Sequence, residues 1–267
     1  MNIELNTDTN GYDRQNALVF AKLSDLAYQD KEEIFRELEQ SGFYKHHFID
    51  NPETGTQGFI AANDQHLLIV FRGTQLQLKD LITDAKIKLV TGDAGKVHRG
   101  FFKAFNSIRG ELELKIQEFQ DNQQKIWLSG HSLGAAIATL AAMRLALQEI
   151  SIEGFYNYGS PRVGDGDFVS ALQTQLTGRS FRVRNNNDVV TRVPVAGIFL
   201  LRYRHIDSLI YFDSQGKRRE GMGMMAMLID HFRGHLDDIG ELGSDGLKDH
   251  KIASYLKVLE RDIHATG

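Results

Sequence analysis

The chain has 267 residues, of which 42% are hydrophobic and 25% charged, with a formal net charge of −4. This suits one large α/β domain or two small ones with a substantial core, and net acidity argues against a general nucleic-acid binder. No cysteine is present, which excludes disulfides, thiolate catalysis and cysteine-ligated metals.

Residues 1–13 are polar and read as a loose N-terminal arm. Ala17 to Leu26 carries apolar residues at helical spacing, and Ile34 and Leu38 continue that pattern in an acidic helix over 31–40. Residues 43–56 show no clear period. Gln57 to Ala61 and His66 to Phe71 read as two strands of a hairpin around Asn63-Asp64, the second strand apolar enough to lie centrally in a sheet. Arg72-Gly73-Thr74 follows directly, either an ordinary strand-to-loop turn or an anion-stabilising donor at a strand's carboxyl end. A short helix is expected over Lys79 to Leu89, a glycine-containing loop over Val90 to Gly100, and a long amphipathic helix over Phe101 to Phe119.

Lys125 to Ser129 has the length and residue types of a buried strand, and Ala135 to Leu147, rich in alanine and leucine, reads as a helix. Between them stands Gly130-His131-Ser132-Leu133-Gly134. A Gly-x-Ser-x-Gly pattern is weak by itself, but a strand before it and a helix after it make it a nucleophile elbow. Such a turn lifts the serine hydroxyl clear of the sheet, and the helix N-terminus points free N–H groups towards an oxyanion. Glu153 to Tyr158 is the next expected strand, Asp167 to Leu176 a helix capped by Asp165 or Asp167, and Ser180 to Arg184 another strand. The strand–helix alternation predicts parallel pairing. Asn185-Asn186-Asn187 then supplies local hydrogen bonds for a turn, and Asp188 lies at the same sheet edge as Ser132. Taken alone, Asp188 reads equally well as a turn aspartate. Ile198 to Arg204 and Ser208 to Phe212 are two further expected strands, with a turn at 213–216. Residues 221–232 hold four methionines, at 222, 224, 225 and 227, suited to core packing or to an adaptable apolar wall. A last helix is expected over 246–259.

A serine nucleophile needs a base, and the base needs an orienting acid. In the order Ser, Asp, His, the histidines after Asp188 are His205, His231, His235, His250 and His264. His205 adjoins a strand-like segment. His231 and His235 would share a helix face but lack the glutamate of a metalloprotease motif, and His264 lies near the chain's end. His250, at a loop-to-helix position, suits delivery of a base to the sheet edge. Spacing leaves the choice open.

The motifs together resemble the class 3 lipases, over about residues 16 to 256. The blocks are Phe71-Arg72-Gly73-Thr74 with Asp80-Leu81-Ile82-Thr83-Asp84 (Leu81 replacing the usual tryptophan), Val97-His98-Arg99-Gly100-Phe101, Gly130 to Ala135, Tyr158 to Gly164, Asn187-Asp188-Val189-Val190 with Arg192-Val193-Pro194, Tyr203-Arg204-His205, and Asp249-His250 with Ser254-Tyr255. The resemblance implies a single α/β-hydrolase domain over 1–267, with a mostly parallel central sheet and helices on both faces. It implies Ser132 as nucleophile, Asp188 as acid, His250 as base, the N–H groups of Thr74 and Leu133 as an oxyanion hole, and a candidate lid over 75–97.

The implied activity is hydrolysis of lipid esters, triacylglycerol or shorter acyl esters, through an acyl-enzyme. Phospholipase A1, a feruloyl-type esterase and a silent lipid-binding module are the alternatives. No metal or organic cofactor is expected. The expected partners are an ester substrate and, transiently, a lipid–water interface, not nucleic acid. No apolar run reaches the length of a transmembrane segment, and the polar start lacks the layout of a secretory signal. The expectation is a soluble protein, cytoplasmic or secreted without a recognisable N-terminal signal.

Overall fold

The structure is a computed structural model that describes residues 1–9, 11–74, 88–121, 124–194, 203–206, 208–219 and 244–265. Most of the helix expected over 79–89, the Asp80–Asp84 block, most of the candidate lid, most of the strand expected over Ile198 to Arg204 and the methionine-rich stretch lie outside the described residues.

Three strands open the sheet: β1 (Lys45–Asn51), β2 (Thr56–Ala62) and β3 (His66–Phe71). They pair antiparallel in sequence order. β4 (Leu89–Thr91) and β5 (Lys96–His98) form a separate small hairpin. β6 (Lys125–His131), β7 (Ile152–Tyr158), β8 (Ser180–Asn185) and β9 (Leu209–Phe212) then run parallel to β3, and β10 (Arg218–Arg219) turns back on β9. Among the described residues the sheet has eight strands in the order β1-β2-β3-β6-β7-β8-β9-β10. Because β3, β6, β7, β8 and β9 are parallel, their carboxyl ends lie along one edge, where ligands bind in such sheets.

Helices cover both faces. One face packs against α1 (Arg14–Leu26), α2 (Lys31–Gln40) and α7 (Ile252–His264) through Phe20, Leu23, Ile34, Tyr156, Tyr158 and Tyr255. The other packs against α3 (Arg99–Phe119), α4 (Leu133–Leu147) and α5 (Gly166–Gln175) through Phe101, Phe105, Ile137, Ala141, Phe155 and Phe168. The strand alternation explains the split: Phe155 faces one layer and Tyr156 the other. α4 is buried nearly all round, and its alanines let it sit close on the sheet.

Several expectations are corrected. β1 lies within residues 43–56, where no period was readable, because a half-exposed edge strand buries little on either face. Residues 90–100 carry β4, β5 and the start of α3 rather than a plain loop. Among the described residues the N-terminal arm has no helix or strand before Arg14, yet it is anchored: the Met1 ammonium pairs with Glu37 at 2.7 Å, Asn6 N–H donates to Asn16 at 2.8 Å, and Ile3 and Leu5 pack on the core. The helix expected over 246–259 is two helices, α6 (Ser244–His250) and α7, broken at an extended Lys251. Asp165 is the cap of α5, accepting from Phe168 N–H at 3.0 Å.

Candidate active site

β6 passes into α4 through Ser132, whose backbone stands at φ 59°, ψ −125°. That conformation costs a non-glycine residue about 1–3 kcal/mol, so neighbours must hold it. The Ser132 N–H donates to Tyr158 C=O at 2.9 Å, and the Ser132 C=O accepts from Ala135 N–H at 3.1 Å. The turn is tight enough that a Cβ on Gly134 would stand 2.1 Å from the Phe71 carbonyl oxygen. The start of α4 is thereby pressed against the carboxyl end of β3.

Ser132 Oγ lies 2.8 Å from His250 Nε2. His250 Nδ1 lies 2.9 Å from Asp188 Oδ2 and 3.0 Å from Oδ1. All three residues are buried. Burial alone would raise the Asp188 pKa. The facing His250, its hydrogen bond and a hydrogen bond from Tyr255 outweigh that and hold the carboxyl below its ordinary value. Tyr255 donates to Oδ2 at 2.5 Å and the Val190 N–H to Oδ1 at 2.9 Å. An ionised Asp188 accepts only, so His250 Nδ1 carries the proton and Nε2 presents a lone pair to the Ser132 hydroxyl.

His250 is set at the corner between α6 and α7, at the end of a helix rather than its start. The asparagines before Asp188, expected to serve a local turn, reach across to this corner. Asn185 Nδ2 donates to the Asp249 carbonyl at 3.1 Å, and Asn186 Nδ2 and Asn187 N–H donate to Asp249 Oδ2 at 3.0 and 3.2 Å. The segment carrying the acid therefore grips the segment carrying the histidine. Gly159, at φ 58°, closes the site beneath: a Cβ there would stand 2.8 Å from Asp188 Oδ2 and 2.9 Å from His250 Nδ1.

Thr74 and Leu133 flank Ser132 from two elements. Leu133 is the first residue of α4, so its N–H is among the donors a helix leaves unpaired. Thr74 stands just past β3, and its Oγ1 is buried with no hydrogen-bond partner among the described residues. A buried, unpaired hydroxyl is a costly feature that ligand binding would relieve.

His205, also among the sequence candidates, has a structural place. It hydrogen-bonds the Thr191 carbonyl at 2.6 Å, and burial with nearby Arg182 and Arg162 holds its pKa far below normal. His264 ends α7. His231 and His235 lie outside the described residues. Among the described residues no group of three His, Asp or Glu side chains is placed to hold a metal ion. Sequence reading missed the roles of Tyr28, His131 as a hydrogen-bonding group, Asp249 and Gly159; of these, all but Tyr28 stood inside recognisable motifs.

Residues 68–197 match the model of the class 3 lipases. A secreted mono- and diacylglycerol lipase of Fusarium solani is 31% identical over 168 residues, 60% of this chain and 49% of that protein. A triacylglycerol lipase of Ricinus communis is 27% identical over 257 residues, covering 72% of this chain and 48% of its own length. The chain thus spans about half the length of these relatives. The crystal structure of a mono- and diacylglycerol lipase from Aspergillus oryzae superposes with a TM-score of 0.63 at 24% identity, covering 76% of this chain and 81% of that one. The shared fold is the α/β-hydrolase fold, as the sheet order and the two helix layers also indicate.

Proposed function

The chain belongs to the class 3 lipase family, and from that premise we propose that it is a serine carboxylester hydrolase acting on lipid esters. The observation that carries the reading is the unbroken contact series Ser132 Oγ, His250 Nε2, His250 Nδ1, Asp188 carboxylate. A serine needs such a base in reach to attack at neutral pH.

In the proposed reaction, Ser132 Oγ attacks the ester carbonyl carbon while His250 Nε2 takes its proton. The carbonyl oxygen becomes an oxyanion, held by the N–H groups of Leu133 and Thr74 and by the Thr74 hydroxyl. The C–O bond to the alcohol then breaks, and His250 gives its proton to the leaving oxygen. Water, deprotonated by His250, attacks the acyl-enzyme in the same way, releasing the carboxylic acid and restoring Ser132. Asp188 stays ionised and stabilises the His250 imidazolium. No step calls on a metal or organic cofactor.

The names of the relatives favour glycerol esters, mono-, di- or triacylglycerol, as substrates, met at a lipid–water interface. No helix among the described residues is long and apolar enough to cross a membrane. The geometry disfavours a silent lipid-binding module, since a module without chemistry has no need of a buried acid, a histidine bridging it to a serine, and a strained serine backbone in register.

Hydrolysis of p-nitrophenyl esters from acetate to palmitate, with Ser132→Ala beside the wild type, tests the reading. Cleavage of long chains by the wild type alone supports a lipase, with phospholipids as the next substrate. Cleavage of acetate and butyrate only supports an esterase with a short pocket. Equal activity in both proteins would overturn the assignment of Ser132.

A further inference from the structure

Tyr28, just past the end of α1, has no place in the reaction above, yet it touches both halves of the site. Its hydroxyl lies 2.7 Å from His131 Nδ1. His131 Nε2 lies 2.6 Å from the backbone carbonyl of His250, and the His131 and His250 rings stack with centroids 4.7 Å apart. On its other side, the Arg72 guanidinium sits over the Tyr28 ring at 5.5 Å. The Tyr28 oxygen also packs against the Gly73 backbone. Gly73 is held so closely that a Cβ there would stand 2.4 Å from that oxygen and 3.0 Å from Ser132 Cβ.

The donor directions are fixed by chemistry. A carbonyl only accepts, so His131 Nε2 carries a proton. His131 is fully enclosed and stacked on a second histidine; desolvation keeps the ring neutral, its pKa pushed down to about 3. Nδ1 is therefore a lone pair, and the Tyr28 O–H donates to it. The chain of bonds runs one way, Tyr28 O–H to His131 and His131 N–H to the His250 carbonyl, with Gly73 packed against the Tyr28 oxygen. It joins the loop that carries Thr74 to the backbone of the base.

We propose that Tyr28 and His131 are positioning residues that fix the Thr74 loop against His250, so that the oxyanion donors and the base stay in register about Ser132. The inference rests on the hydrolase reading above. The elements joined, the end of β3 and the corner between α6 and α7, are far apart in sequence. Among the described residues Gly73 and Thr74 lie past the end of β3 and pair with no strand, so contacts from other segments must hold them. Transition-state donors act only when set beforehand, and a misplacement of about 1 Å costs about a hundredfold.

The test measures kcat and KM on a soluble short-chain p-nitrophenyl ester for Tyr28→Phe and His131→Asn, with active sites counted by fluorophosphonate labelling. Tyr28→Phe keeps the ring under Arg72 and removes only the hydroxyl. Its kcat per labelled site should fall by about 10- to 100-fold, with KM within about twofold because the ester's ground-state contacts are untouched. The double variant should be no worse than the poorer single one, since both break one chain. A boronic acid, which mimics the tetrahedral species, should lose affinity for Tyr28→Phe by the same factor as kcat/KM. An unchanged kcat per labelled site in Tyr28→Phe would overturn the proposal, even if the amount of folded protein fell, because a merely structural tyrosine lowers the count of sites and not their turnover. Strict additivity in the double variant would also overturn it. Failure of the underlying hydrolase reading looks different: the wild type would neither label nor turn over.

Discussion

The hydroxyl of Tyr255 donates to Asp188 Oδ2 at 2.5 Å, on the carboxylate oxygen that also faces His250 Nδ1. Asp188 is fully buried, and its charge survives there because His250, Tyr255 and the Val190 N–H surround it. This bond makes Tyr255 part of the electrostatics of the site.

Its removal should depend on pH in a definite direction. A carboxyl whose folded pKa is depressed stabilises the fold above its unfolded pKa, and that stabilisation is lost as pH falls through the folded value. Tyr255→Phe should therefore be less stable than wild type by about 1.5–3 kcal/mol near neutral pH. The gap should narrow as Asp188 becomes protonated in acid. Urea unfolding from about pH 7 down to about pH 3 measures it; a gap independent of pH would mean that Tyr255 acts by packing alone.

Replacing the acid itself separates fold from chemistry. Asp188→Asn keeps the shape but presents an amide to His250, which favours the wrong tautomer. Turnover should fall by about 10⁴-fold, with labelling of Ser132 slowed in step. Turnover within about tenfold of wild type would show that His250 is oriented mainly by His131 and the Asp249 clamp.

The strain at Ser132 predicts that activity and stability move apart. Ser132→Ala keeps the positive φ on a residue that resists it, whereas glycine accepts it freely. Ser132→Gly should be more stable than Ser132→Ala by about 1 kcal/mol, and both should be inactive. Equal melting temperatures would mean that the turn is not strained.

Thr74 gives the same opposition from the other side of the site. Its buried hydroxyl has no partner among the described residues, so Thr74→Val removes a group that costs stability in the resting protein. Stability should hold or rise by up to about 1 kcal/mol. Turnover should fall, by at most the roughly 10²–10³-fold typical of losing one oxyanion donor. Paired thermal melts and ester kinetics decide it; a loss of stability with unchanged turnover would remove Thr74 from the oxyanion hole.

Much of this was legible in sequence because it is local. The elbow, the strand ends carrying Thr74 and Asp188, and the parallel core are written in runs of five to seven residues whose period and punctuation suffice. The resemblance supplied His250, which spacing alone left among five histidines. What sequence did not show is contact between distant segments. Nothing near Tyr28 marks it as a partner of His131, 103 residues away. The three asparagines look like a turn, and only the fold brings Asp249 onto them. The break at Lys251 has neither glycine nor proline to announce it; α7 starts there because the corner is held, with the Ser254 hydroxyl donating back to the Lys248 carbonyl at 2.8 Å.

The central claim is that Ser132 is a nucleophile primed by His250 and Asp188. Its most direct test is incubation of the intact protein with a fluorophosphonate, followed by mass spectrometry of its peptides. The account predicts one adduct per chain, on Ser132, lost in Ser132→Ala and slowed by orders of magnitude in His250→Ala. An adduct on another residue, or none in wild type of proven fold, would contradict it.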